Sequence, residues 1–267
     1  MDATLKKQNP EELVAKVTNP EEMERALARM DRFNLARTPN FEPRRQPAIP
    51  SFVAAEGAGL LYMPIRPGPE AAVRDWLVRI GGGLVEDFTQ KSLRQWKRRF
   101  LPHRGFTVIR HPLLRGHAAF RTLVSARNRA DLRQLLNRAH KADLPSPGEG
   151  FRDAGHERQA FLAFLRYAKL AAGGQTGQRV DAHLASQTAV LQGFAQFQPP
   201  DRVIREENLA EELQALAQEI GIDAPEITAD AAAAEDLAAI WDPQLEDAAQ
   251  EAWGRDYMGF GFSRWKV

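Results

Sequence analysis

Residues Arg104 to Arg121, RGFTVIRHPLLRGHAAFR, constrain the fold more than any other stretch of the chain. Phe106, Val108 and Ile109 are strand formers in a short run, and Arg110 and His111 follow at once. Pro112 then opens a segment with Leu113, Leu114, Ala118, Ala119 and Phe120 at helical spacing. The pattern predicts strand, tight turn and helix. Pro112 suits the first helical position, where its missing N–H costs nothing. A polar pair at the end of a buried strand, just before a helix N-terminus, is where α/β folds bind anions. The local alternative is an ordinary strand–helix unit whose Arg110 pairs with a carboxylate.

The rest of the chain supplies material for one large α/β domain or two small ones. It has 267 residues, of which 43% are apolar, and 36 Lys plus Arg against 35 Asp plus Glu. A net charge of +1 argues against a general nucleic-acid binder, while leaving room for a local basic pocket. With no cysteine in the chain, disulfides, thiolate metal sites and cysteine nucleophiles are excluded. The first residues, MDATLKKQNPEELVAK, carry no apolar core of signal-peptide length, and no later run approaches a membrane span. The expectation is a cytoplasmic protein.

Two Asn-Pro-Glu-Glu motifs, at 9–12 and 19–22, each place an N-cap Asn before Pro with acids in the first turn. They predict two helices in an N-terminal extension. The second carries Met23, Ala26, Leu27, Met30 and Phe33 on one face. Residues 37–50 are rich in Pro and Arg and read as a linker, so the division is an extension over 1–50 and an α/β domain over 51–267. Strands are expected at 60–63, 106–109 and 201–204. Helices are expected over 72–80, 91–100, 112–120, 130–139, 160–170 and 209–220, with 229–239 helix-prone and 141–158 a long loop. The 91–100 helix is strongly basic and reads as a solvated face. Strands alternating with helices predict a parallel sheet flanked by helices. Its first two strands should end side by side, with Arg66 and Arg110 facing one cleft.

Residues 106–120, FTVIRHPLLRGHAAF, resemble the 3′-phosphate-binding strand–helix unit of the sulfotransferase superfamily, closest to the carbohydrate sulfotransferases. Further segments fall in that family's order. MPIRPG at 63–68 stands where the family has its 5′-phosphosulfate loop, Pro-Lys-Thr-x-Gly-Thr-Ser. FLAFL at 161–165 is similar to the helix before an Asp-x-His-Trp-x-Pro-Gln segment. DAHLASQT at 181–188 resembles that segment, keeping Asp181, His183 and Gln187. DRVIREENLAEEL at 201–213 and RDYMGFGF at 255–262 resemble the late strand and the closing aromatic motif.

The resemblance implies a P-loop-like fold, 3′-phosphoadenosine 5′-phosphosulfate as donor, a hydroxylated acceptor such as a glycan, and no metal. It assigns the donor to Pro64, Ile65, Arg66, Gly68, Arg110 and Ala118, and catalysis to Arg66 and His183. Arg115 is also kept. Three positions depart from the family. Ala118 replaces the hydroxyl that would support the 3′-phosphate, Ile65 replaces the loop Lys, and Pro69-Glu70 replaces Thr-Ser. Glu86 and Asp87 are further candidate bases, or a solvated turn. The open readings are a sulfotransferase, a non-catalytic scaffold or binding module on the same fold, and an unrelated P-loop nucleotide binder. The third lacks its Gly-x4-Gly-Lys-Ser/Thr motif.

Overall fold

Five strands form one mixed sheet in the order β3-β1-β2-β4-β5, in a computed structural model that describes residues 49–176, 180–227 and 232–265. The strands are β1 (Val53–Ala55), β2 (Leu60–Tyr62), β3 (Leu84–Val85), β4 (Arg104–Ile109) and β5 (Arg202–Arg205). The three expected strands, β2, β4 and β5, are its parallel side. Tyr62 lies opposite Phe106, and Phe106 to Ile109 lie opposite Arg202 to Arg205. The expectation of a parallel sheet is corrected at one edge. β1 runs antiparallel to both β2 and β3. Val-Ala-Ala and Leu-Val are too short to show the alternation by which a strand is read.

Period-two alternation along the central strands separates two apolar layers. Leu60, Tyr62, Phe106 and Val108 pack with Val73, Trp76 and Leu77 of α1 (Glu70–Gly81) and with Leu213 and Leu216 of α7 (Leu209–Glu219). Leu61 and Met63 face the other way, toward Leu93 and Trp96 of α2 (Gln90–Arg99) and Phe194 of α6 (Gln187–Ala195). Helices therefore cover both faces. α2 starts on a capping box in which Thr89 and Ser92 satisfy each other's N–H groups.

A third apolar cluster is mostly helical. It joins α3 (Pro112–Ser125), α5 (Ala154–Ala172) and α9 (Pro243–Phe260), with α4 (Ala130–His140) and α8 (Ala232–Ala238) alongside. Pro112 opens α3 as expected, and the His111 Nδ1 accepts the Leu113 N–H as its cap. α5 begins six residues before the expected 160, because the Asp153 carboxylate accepts the His156 N–H and starts a turn there. α9 is not foreseen from the sequence, although Asp242, Pro243 and a left-handed Gly261 (φ 64°) mark its two ends. Its buried face carries Glu246 and Asp256, which break the apolar period. At Gly116 the two helices meet so closely that a Cβ would lie 2.5 Å from the Trp253 ring.

The extension expected over 1–50 lies outside the described residues except at 49 and 50, as does the start of the 229–239 segment. Among the described residues no helix is long and apolar enough to cross a membrane.

Candidate functional site

β2 and β4 are parallel neighbours, so the loop after one and the turn after the other leave the sheet at the same end. Arg115 of α3 lies beneath both and is buried. One Nη donates to the Ala185 carbonyl at 2.8 Å, and the other to the carbonyls of Arg66 at 2.6 Å and Ala182 at 3.3 Å. Its Nε has no partner. Burial pulls this guanidinium down to about 10, against the opposing charge of Asp256. Arg115 thus ties the 64–69 loop to the 181–187 segment through backbone oxygens.

Those two segments and the start of α1 border an open cleft of about 410 Å³, lined by Arg66, Pro67, Gly68, Glu70, Ala71, Arg74 and His183. His183 enters it as half of a dyad. Asp181 Oδ1 accepts the His183 backbone N–H and faces its ring Nδ1, both at 2.9 Å. Asp181 Oδ2 pairs with Arg129 at 2.6 Å. Burial works to raise the Asp181 pKa, but the two His183 hydrogen bonds and the Arg129 charge outweigh it and hold the carboxyl below its ordinary range. An ionised Asp181 makes Nδ1 the protonated ring nitrogen, which leaves Nε2 with a lone pair. The imidazole is set up as a base.

The cations at this end of the sheet are already engaged. Arg66 grips Glu70 through two hydrogen bonds, of 2.8 and 3.0 Å. Arg74 reaches Glu70 at 3.3 Å and also pairs with Glu86. Arg110 leaves β4 in a two-pronged pair with Glu206, and both side chains are largely buried. Gln187 fixes the backbone here: its Oε1 accepts the Arg110 N–H at 2.9 Å, and its Nε2 donates to the Arg110 carbonyl at 2.8 Å. The Tyr62 hydroxyl, at the end of β2, is buried and unpartnered. Burial raises its pKa first, then the charges of Glu70 and Glu206; Arg110 and Arg66 oppose them. Both ion pairs therefore lie within electrostatic reach of one phenol.

Of the residues expected in the site, Arg66, Gly68 and His183 share the cleft. Pro64 is buried, and Ile65 packs in the helical core at 2% exposure, offering no side-chain group to a ligand. Arg110 and Ala118 do not line the cleft; Ala118 is half-buried in α3, and its carbonyl accepts the Thr122 hydroxyl at 2.8 Å. Glu86 is bound to Arg74, and Asp87 is exposed. The roles of Arg74 and Tyr62 are not foreseen from the sequence, whereas the charge of Glu70 at a helix start is legible there. The Asp181–His183 contact had a local signal, since an Asx side chain two residues ahead of its partner is a common turn.

A bisphosphorylated donor needs cations and N–H groups, and here the fit is partial. A base and guanidinium groups meet in one cleft, but Pro67 and Pro69 lack N–H groups, and both Arg66 and Arg110 hold carboxylates of the chain. Among the described residues no group of three or more His, Asp or Glu side chains is arranged to hold a metal ion. Compared with protein-family models, curated proteins and solved structures, the chain matches none of them.

Proposed function

We propose that this chain has a P-loop-like sulfotransferase fold and transfers a sulfuryl group from 3′-phosphoadenosine 5′-phosphosulfate to a hydroxyl of a glycan or other acceptor. The observation that carries the reading is an oriented base beside Arg66 and Arg74 in one cleft. Sulfuryl transfer resembles phosphoryl transfer, in that catalysis is largely positioning and charge neutralisation. His183 Nε2 accepts the proton of the acceptor hydroxyl, and Asp181 stabilises the imidazolium that results. Arg66 supplies positive charge where the resemblance puts the 5′-phosphosulfate. Arg115 holds the two walls at fixed separation.

A second reading, a non-catalytic binding or scaffold module, is favoured by the Arg110–Glu206 pair and by Ile65 where the family has a Lys. Calorimetry with 3′-phosphoadenosine 5′-phosphate separates the two. Micromolar binding, together with transfer of labelled sulfate that His183→Ala abolishes, supports the enzyme. Absence of binding at millimolar nucleotide supports the scaffold.

A further inference from the structure

Two arginines at this end of the sheet hold anions supplied by the chain, and the two pairs differ in how firmly they are held. Arg110 and Glu206 expose 7% and 12% of their side chains, whereas Arg66 exposes 50% and Glu70 22%. A buried pair is fixed, because separating it leaves an uncompensated charge. An exposed pair is weak and rearranges easily. Glu70 sits in the first turn of α1, whose N-cap Pro69 offers no side-chain acceptor. Its carboxylate therefore takes the place an oxyanion would have, between Arg66 and Arg74 and at the positive end of the helix. The Tyr62 hydroxyl at the end of β2 is a buried donor with no partner.

We infer that Glu70 is an internal competitor for the oxyanion of the ligand, and that a phosphate or sulfate ester enters the cleft by displacing it from Arg66. The inference rests on the reading of the cleft above for its class of ligand, and it concerns the second of the two loop positions where Pro69-Glu70 stands in place of Thr-Ser. It makes Glu70 a determinant of affinity that works against binding. Removing its charge should strengthen the site, whereas loss of a supporting residue would weaken it.

The test is calorimetry on the full chain with two probes, 3′-phosphoadenosine 5′-phosphate and inorganic pyrophosphate. Glu70→Gln should bind both at least about tenfold more tightly than the unmodified chain, and Glu70→Ala should do the same. Adding Arg66→Ala to Glu70→Gln should remove the gain. Equal or weaker binding of both probes by the Glu70 variants overturns the inference, as does silence with both. A gain for pyrophosphate with no nucleotide binding by either protein keeps the inference and removes the nucleotide reading. Equal nucleotide binding by both proteins does the reverse.

Discussion

The guanidinium of Arg115 donates to the carbonyl of Arg66 at 2.6 Å, across 49 positions of sequence. A buried cation here has backbone oxygens for partners, and two further carbonyls, of Ala182 and Ala185, share it. Arg115→Met keeps most of the apolar stem and deprives three carbonyls of their donor. The expected cost is on the order of 3 kcal/mol, from buried acceptors left unpaired. Urea unfolding measures it. A change below about 0.5 kcal/mol would mean that water replaces the donor at all three oxygens.

Arg110 offers a sharper contrast. An open-cleft Arg110 would tolerate truncation, but this one is paired with Glu206 in a largely buried setting. Arg110→Ala should cost about 3–5 kcal/mol, because it strands the Glu206 charge. The double variant Arg110→Met with Glu206→Leu should recover most of that loss. Denaturant midpoints of the three proteins give the comparison, and a double variant as unstable as Arg110→Ala would refute the stranded-charge account.

His111 should make stability depend on pH. Its Nδ1 accepts from Leu113, which requires a neutral ring, so Nε2 donates to the Ser263 carbonyl at 2.9 Å. Burial lowers its pKa below the ordinary imidazole value, partly offset by the Ser263 bond and the charges of Glu246 and Glu207, while Arg205 adds to the lowering. Unfolded, the ring takes a proton near pH ~6.5. The folded ring resists until lower pH, so stability is retained above that value and declines as pH falls below it. Burial shifts His140 in the same direction. The melting temperature should therefore fall between pH 7.5 and 5.5. His111→Phe, which keeps the ring among Tyr257, Phe262 and Trp265, should melt lower at pH 7.5 and vary less with pH.

The parts of this fold that are legible in the sequence are those whose causes are local. FTVI followed by Arg-His-Pro specifies a strand, a turn and a helix start within ten residues. The apolar sets of α1 and α7 declare their buried faces by spacing alone. β1 and β3 pass unseen, because a strand of two or three residues is defined by its neighbours and carries no pattern of its own. The candidate site divides in the same way. Asp181 and His183 are two positions apart, but Glu206 stands 96 positions from the arginine it pairs with. Nothing in the spacing of Arg110 names that carboxylate, although the choice between an anion ligand and an internal partner was visible as a choice. Ile65 illustrates the remaining difficulty. The resemblance puts a catalytic cation at this position, but the side chain lies in the core, and only packing reveals it.

α9 contributes to the cleft at a distance. Asp256 accepts the N–H groups of Gln187 and Thr188 and the Thr188 hydroxyl, and the Trp253 indole donates to the Leu184 carbonyl. The start of α6 and the segment bearing His183 are thus secured by residues about 70 positions later. During synthesis, the sheet residues of β1 to β4 leave the ribosome long before those anchors exist. A nascent chain that has not yet reached Asp256 holds all its cleft side chains but lacks the carboxylate that caps α6. Assembly of this cleft therefore waits for α9, and a stalled or truncated product ending before α9 would present the 181–188 segment unanchored to chaperones and proteases.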